Sequence, residues 1–258
     1  MKKLALCMAI LAAATSASAK DWTTVRFGVD ASYAPFESKS PDGKLVGFDI
    51  DLGNEICARL NAKCVWVESS FDSMVPALKA KKFDGVLSSM SMTPQREAQI
   101  AFSTKLFHTP TRLVAKKGAA LQPTPDSLKG KSIGVEQGSI QETFAKLNWE
   151  PKGVKIIAYQ DQDQVYSDLT SGRLDAALQD AVQGDMGFLK TARGAGFEFT
   201  GNDLSDPKGT LGTGAAIGLR KEDTELKVKI DKAIADMIKD GTYKKIEARY
   251  FTFDVYGS

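Results

Sequence analysis

The sequence predicts an α/β protein built of two similar lobes, each a mostly parallel sheet flanked by helices. Short apolar runs that end in polar residues or glycine alternate with helical patterns along the chain, as in α/β units. The 258 residues are enough for one large domain or two modest ones. Hydrophobic residues at 43% and charged residues at 26% match a globular protein and exclude a disordered chain.

An internal repeat indicates that the two lobes are related. The end of a helix running into a strand occurs twice with the same spacing, as Leu78, Lys82, Phe83, Asp84 and Leu87 and again as Leu169, Arg173, Leu174, Asp175 and Leu178. A second repeat pairs the strand that ends at Asp30 with the strand that ends at Glu136. The two repeats have different offsets, which a hairpin at residues 41–43, within residues 37–48, helps to explain.

The periodicity places the main elements in order along the chain. We expect strands near residues 25–29, 65–68, 85–88, 112–116, 132–135, 155–158, 176–179 and 215–219. Helices are expected over residues 49–60 and 224–240. The apolar stripe of the first contains Ile50, Ile56 and Leu60, and that of the second contains Leu226, Ile230, Ile234 and Ile238.

The N-terminus, residues 1–19, predicts a signal peptide. Lys2 and Lys3 precede an apolar run too short to span a bilayer, and small residues follow up to Ala19. Cleavage at Ala19–Lys20 removes two of 34 basic residues and leaves them balanced by 32 acidic ones. This neutrality argues against nucleic-acid binding, and the signal predicts export to an oxidising compartment.

Two cysteines, Cys57 and Cys64, remain after the signal is removed. In an oxidising compartment they predict a disulfide. A metal site is disfavoured because His108 is the sole histidine and the cysteines lack the usual spacing of zinc ligands. We therefore expect no metal and no cofactor.

One segment partly matches the motifs of serine hydrolases and of P-loop nucleotide-binding proteins, but the surrounding sequence does not fit either class. The run from Gly130 to Gly134 satisfies G-x-S-x-G, but Ser132 opens a strand instead of standing between a strand and a helix. The same run lacks the earlier glycine of a P-loop, because Pro125 stands there.

A cleft is expected between the lobes, because ligands of open α/β sheets bind beyond the carboxyl ends of the strands. Asp30, Ser88, Ser89, Glu136 and Asp180 follow or end predicted strands and would line this cleft. The alternative from spacing alone is that they are ordinary polar residues of loops.

A carboxylate site is expected near Arg96. Hydroxyl residues end a strand, Thr93 and Pro94 form a turn, and Arg96 lies in the first turn of a short helix. The guanidinium of arginine can grip a carboxylate with two parallel hydrogen bonds. The loop from Gly138 to Gln141 opens a second helix that could offer N–H groups to the same carboxylate. An exposed arginine on a polar turn is the alternative.

These residues, with several others, resemble the bacterial periplasmic solute-binding proteins for polar amino acids. The branch that binds lysine, arginine, ornithine and histidine is the most similar. The resemblance covers essentially the whole mature chain and rests on Gly28-Val29-Asp30, Tyr33-Ala34-Pro35-Phe36-Glu37, Val46-Gly47-Phe48-Asp49, Ser88-Ser89-Met90-Ser91, Thr93, Arg96, Asp175-Ala176-Ala177, Asp180 and Asp240-Gly241-Thr242-Tyr243.

The resemblance implies a periplasmic binding protein type II fold in which two lobes, joined by two hinge strands, close over one amino acid. Lobe 1 would comprise residues 20–108 and 214–258, and lobe 2 residues 111–205. The crossings would lie near residues 109–110 and 206–213. A monomer that delivers its ligand to an ABC permease of the inner membrane is implied, with no catalysis.

The resemblance also implies roles for the residues that hold the α-amino acid group. Arg96 would hold the α-carboxylate with the backbone at Ser91 and Ser139. Asp180 would hold the α-ammonium with Ser89.

The ligand side chain would meet a second group of residues. By resemblance, Asp30 and Ser88 face it, Tyr33 and Phe71 sandwich it, and Gln141 is a peripheral partner. Aromatic residues are more often core than ligand platforms, which is the alternative for Tyr33 and Phe71. The Cys57 and Cys64 pair also matches a disulfide of this branch.

Two residues depart from the family pattern. Glu136 stands where the branch usually has an apolar residue, and a second carboxylate near the side-chain end favours a guanidinium. Ile140, where threonine is frequent, removes one hydroxyl. We therefore expect arginine as ligand first, then lysine and ornithine, with histidine lower. The alternatives are that Glu136 points to solvent, that opines or guanidino compounds bind, or that the chain is a dehydratase-like enzyme on the same fold.

Overall fold

The computed structural model describes residues 22–257 of the chain. The expected signal peptide, residues 1–19, and its cleavage site lie outside the described residues. Within residues 22–257 no helix has both the length and the apolar character needed to cross a membrane.

The described chain alternates strands and helices. The strands in chain order are β1 (Thr24–Val29), β2 (Ser32–Tyr33), β3 (Glu37–Lys39), β4 (Leu45–Val46), β5 (Lys63–Glu68), β6 (Gly85–Val86), β7 (Ala101–Phe102), β8 (Thr111–Lys116), β9 (Ser132–Glu136), β10 (Lys155–Tyr159), β11 (Ala176–Asp180), β12 (Phe197–Thr200) and β13 (Gly218–Leu219). The α-helices are α1 (Phe48–Arg59), α2 (Met74–Lys79), α3 (Pro94–Glu97), α4 (Pro125–Leu128), α5 (Ile140–Asn148), α6 (Gln162–Thr170), α7 (Ala181–Gln183), α8 (Thr224–Lys239) and α9 (Thr242–Glu247). A π-helix spans Gly184–Leu189, and 3-10 turns span Phe71–Ser73, Glu150–Lys152 and Ala192–Gly194.

The first lobe is built on a sheet with the strand order β5-β1-β6-β13-β7. Strands β5, β1 and β6 are parallel, whereas β13 pairs antiparallel with both β6 and β7. Helices α1 and α2 contact these strands, and α8 and α9 pack with α1. Strand β13 comes from the C-terminal part of the chain, so the chain leaves this lobe after β7 and later returns to it.

The second lobe repeats this plan with the strand order β10-β9-β11-β8-β12. Strands β10, β9 and β11 are parallel, and β8 and β12 pair antiparallel at the other side. Helices α5 and α6 pack on β9. The predicted α/β architecture of two lobes, each a sheet flanked by helices, is therefore confirmed, but each sheet is mixed, with two parallel and two antiparallel strand pairs. The exact lobe boundaries stay a prediction.

Some elements differ from the sequence expectation in extent. The strand expected over residues 215–219 is reduced to β13, because Ala215 instead forms isolated bridges with Ser91 and Phe107. Gly214 precedes it at φ 126°, which interrupts an extended strand. In α8 the buried residue near the C-terminal end is Met237, whereas Ile238 is 40% exposed.

The predicted hairpin is present. Strands β2, β3 and β4 form a small antiparallel sheet, with Lys39 opposite Leu45 across the turn. Gly43 closes this turn at φ 79°, a conformation that glycine adopts without steric cost. The hairpin places Glu37, the first residue of β3, against the interior of the first lobe, where it is buried.

The predicted disulfide joins Cys57, near the end of α1, to Cys64 in β5, with a Cα–Cα distance of 5.7 Å. Cys57 is buried in the core of the first lobe. The bond therefore ties α1 to the edge strand of the sheet that it covers.

Replacing both Cys57 and Cys64 with serine should lower the free energy of unfolding by roughly 2–3 kcal/mol, because a short closed loop restricts the unfolded chain. Urea unfolding of the oxidised mature protein and of the double variant measures the difference. An unchanged unfolding midpoint would contradict a stabilising role.

Candidate functional site

A cleft opens where the carboxyl ends of β1, β6, β9 and β11 face one another. The space between its atoms, including the open mouth, is about 590 Å³. All of the site residues predicted from the sequence line it: Asp30, Tyr33, Phe71, Ser88, Ser89, Ser91, Arg96, Glu136, Ser139, Ile140, Gln141 and Asp180. The structure therefore brings together residues that are far apart in the chain.

The cleft also contains residues that sequence reasoning missed. These are Glu37, Phe107, His108, Thr109, Leu211, Gly214 and Ala215. Apart from Glu37, they lie on or within a few residues of the two expected crossings, whose path no local pattern reveals. The sole histidine, which the sequence gave no reason to place near the site, lies at the cleft with an exposed side chain.

Arg96 is a cation without a carboxylate partner among residues 22–257. Helix α3 begins after Thr93, whose Oγ1 accepts the N–H of Arg96 at 3.2 Å. The guanidinium donates to the carbonyl of Ser91 at 2.8 Å and to that of Gly138 at 2.9 Å, and lies 5.3 Å from the ring centre of Phe71. Burial lowers the pKa of Arg96 to about 10, so it stays charged at neutral pH. Its unpaired charge suits an anionic ligand group.

The N-terminus of α5 faces Arg96 from the second lobe. Ser139 caps this helix by accepting the N–H of Glu142 at 3.0 Å, and the carboxylate of Glu142 accepts the N–H of Gly138 at 2.6 Å. Gln141 donates from Nε2 to Thr111 Oγ1 at 3.1 Å and is buried. The first N–H groups of a helix attract anions, so this end strengthens the carboxylate site.

Asp180 ends β11 and supplies a carboxylate to the same cleft. Its Oδ1 accepts the N–H groups of Val182 and Gln183 at 2.8 and 2.9 Å, and its Oδ2 accepts the hydroxyl of Thr109. Burial raises the pKa of Asp180 to about 6. An ammonium group placed beside it would favour the ionised carboxylate.

The same cleft contains two further acidic groups, Asp30 and Glu136. Asp30 accepts the hydroxyl of Ser32 at 2.7 Å and the N–H of Phe71 at 3.1 Å. The Glu136 carboxyl has no hydrogen-bond partner among the described residues and is buried. Burial, and then the nearby charge of Asp30, hold the pKa of Glu136 well above its usual range. A bound cation would relieve both effects.

The two lobes contact each other directly beside the cleft, so the structure represents a closed state. Gln137 Nε2 donates to Asp72 Oδ2 at 3.1 Å, and Arg96 reaches Gly138 across the same boundary. A Cβ at Gly138, whose φ is 78°, would lie 2.7 Å from the Cα of Asp72. Glycine is therefore required where the lobes touch.

Comparison with known proteins identifies the family of this chain. The family "Bacterial extracellular solute-binding proteins, family 3" matches residues 25–253. The chain is 52% identical to the lysine/arginine/ornithine-binding periplasmic protein of Escherichia coli K12 and 50% identical to the histidine-binding periplasmic protein of the same strain. Both alignments cover 100% of this chain and of the relative.

A solved structure of an ancestral arginine-binding protein bound to arginine superimposes with a TM-score of 0.82 at 36% identity. It covers 89% of this chain and 98% of that one. The similarity confirms the expected type of two-lobe fold.

Proposed function

This chain belongs to family 3 of the bacterial extracellular solute-binding proteins, and we propose that it is the periplasmic binding component of an ABC importer for basic L-amino acids. Arginine is the preferred ligand, followed by lysine and ornithine, with histidine lower. The single observation that carries this proposal is the arrangement of charges in the cleft. The guanidinium of Arg96, which has no salt bridge among residues 22–257, lines the same cleft as the buried carboxyl groups of Asp30, Glu136 and Asp180.

Some of the cleft residues match the α-amino acid group of a ligand. Arg96 and the N-terminus of α5 bind the α-carboxylate, while Asp180 and Ser89 bind the α-ammonium. Arg96 belongs to the first lobe and Asp180 to the second, so one ligand contacts both. A ligand drives closure only if it interacts better with the closed state, and these contacts meet that condition.

Asp30 and Glu136 match a cationic side chain of the ligand. A guanidinium between Asp30 and Glu136 replaces water as the partner of both carboxylates, which is necessary because an unpaired buried charge is costly. The rings of Tyr33 and Phe71 line the same cleft and add apolar contact and cation–π attraction of roughly 0.5–2 kcal/mol. Histidine is shorter and presents less charge, which ranks it below arginine.

The protein binds its ligand without chemical turnover and transfers it to the membrane permease. The two Escherichia coli relatives described above are binding proteins, which supports this role over a dehydratase-like enzyme. Export to the periplasm follows signal cleavage at Ala19–Lys20.

Calorimetric titration tests the function. The mature protein is unfolded and refolded to remove copurified ligand and then titrated with arginine, lysine, ornithine, histidine and glutamine. We expect arginine to bind one-to-one with a dissociation constant of roughly 0.1–1 μM, and glutamine to bind far more weakly. Equal affinity for glutamine would contradict specificity for basic ligands, and failure to bind any of the five would contradict the assigned ligand class.

Glu136→Gln should weaken arginine by about tenfold and histidine by less, because it removes one charge-assisted partner of the guanidinium. Glu150→Gln, an exposed position of the same lobe, is the matched control and should leave both affinities unchanged. Equal losses for the two ligands would show that Glu136 does not contact the side chain.

Gly187→Ala should weaken all ligands alike, by about 1–3 kcal/mol, because it hinders closure without touching the ligand. A Cβ at Gly187, in the π-helix of the second lobe, would lie 2.5 Å from the carbonyl oxygen of Ala34 in the first. Gly196→Ala is the control, since nothing lies within 4 Å of its added Cβ. Calorimetry on both variants measures the effect, and unchanged affinity in Gly187→Ala would contradict closure at this contact.

A further inference from the structure

Two acidic side chains outside the assigned ligand contacts are buried together at the cleft, which Glu37 lines and Asp49 does not. Glu37 begins β3 and Asp49 lies in the first turn of α1, and their exposed fractions are 1% and 0%. The hydroxyl oxygen of Ser89 lies 3.2 Å from Glu37 Oε2 and 3.4 Å from Asp49 Oδ2, so the two carboxyl groups are neighbours. Among residues 22–257, no lysine, arginine or histidine forms a salt bridge with either of them. The pair thus has no counterion.

The pair holds both serines at the end of β6. Ser88 donates its hydroxyl to Glu37 Oε1 at 3.0 Å, and Ser89 donates to Glu37 Oε2 at 3.2 Å. Asp49 Oδ2 accepts the backbone N–H of Ser89 at 2.7 Å. Ser89 has φ 51°, a left-handed conformation that is uncommon outside glycine. These bonds stabilise that conformation.

Two adjacent buried carboxylates cannot both be charged without a large free-energy cost, so they share one proton. The backbone N–H of Ser89 stabilises the charged form of Asp49, which leaves the proton on Glu37. Burial and the charge of Asp49 hold the pKa of Glu37 well above its usual range, and burial raises that of Asp49 to about 7. The facing titratable groups, Tyr33 and Tyr243, have pKa values raised by burial and are neutral.

This arrangement sets the direction of the serine hydrogen bonds. A serine hydroxyl has one hydrogen to donate and two lone pairs to accept. The hydrogens of Ser88 and Ser89 are directed to the acidic pair, so their lone pairs are left for other donors. Ser88 Oγ accepts the N–H of Asp30 at 2.9 Å. Ser89, which lines the cleft, keeps its lone pairs for a ligand.

We propose that the Glu37–Asp49 pair is a positioning device that holds the Ser89 hydroxyl as an acceptor for the α-ammonium group of the ligand. It thereby favours ligands with a protonated amine at that position. The inference rests on the amino-acid-binding function proposed above, and it assigns Glu37 and Asp49 a role through Ser89 without direct contact with the ligand.

Paired ligands test the role in binding. Desamino-arginine lacks the α-ammonium and keeps the carboxylate and guanidinium. Glu37→Leu should weaken arginine by about tenfold while changing desamino-arginine by less than about threefold, because only arginine uses the Ser89 acceptor. Glu37→Gln should restore most of the lost arginine affinity, since its amide can donate to Asp49 and accept from a serine. Equal weakening of both ligands by Glu37→Leu would overturn the proposal.

Infrared spectroscopy tests the protonation state without any ligand. The spectrum of the wild-type protein minus that of Glu37→Gln at neutral pH should show the carbonyl stretch of a protonated carboxylic acid. Glu247→Gln is the matched control, because Glu247 is also buried but pairs with Lys244 at 2.7 Å and should contribute no such band. Absence of the band in the first difference would overturn the shared proton, and this readout stays decisive if Glu37→Leu fails to fold.

The two proposals fail in distinguishable ways. If the wild-type protein does not bind arginine, the proposed function is wrong, and the infrared difference still decides whether the acidic pair holds a proton. If the wild-type protein binds arginine but Glu37→Leu weakens both ligands equally, the function stands and the positioning role is wrong.

Discussion

Charge burial without a protein counterion is the constraint on which the closed cleft depends. The guanidinium of Arg96 donates only to carbonyl groups within residues 22–257, and the Glu136 carboxyl has no hydrogen-bond partner there. In a closed cleft these groups are costly, because water no longer solvates them. A ligand with a carboxylate, an ammonium and a second cation would balance the charges of all these cleft residues at once. The closed state is therefore favoured by ligands that carry this set of charges.

The scaffold places these charges through features that repeat in both lobes. Each sheet ends its parallel strands at the cleft, so Asp30 and Glu136 stand at equivalent strand ends although they belong to different lobes. Close approach of the lobes then depends on glycine, as at Gly138 and Gly187. Beneath the first lobe's strand ends, Glu37 and Asp49 hold the serine turn. The polar groups of the cleft are thus oriented by buried neighbours before a ligand arrives.

Much of the site could be predicted from the sequence because its residues follow apolar strands directly. Asp30, Glu136 and Asp180 each stand at a strand end, and the turn at Thr93 predicts the short helix that contains Arg96. Glu37 and Asp49 could not be assigned in this way, because their partner Ser89 is distant in the chain and their pairing is purely tertiary. Strand β8 was predicted as a strand but its antiparallel direction was not, since strand direction follows from the path of the connections, and β12 was not predicted. The family resemblance supplied the residue roles, which the periodicity alone left open.

A crystal structure of the mature protein with bound arginine tests the central claim most directly. We predict that the guanidinium lies within about 3.2 Å of carboxylate oxygens of both Asp30 and Glu136, and that the α-carboxylate forms paired hydrogen bonds with Arg96. A guanidinium that contacts neither carboxylate, or a Glu136 side chain turned to solvent, would contradict the account of charge balance in the cleft.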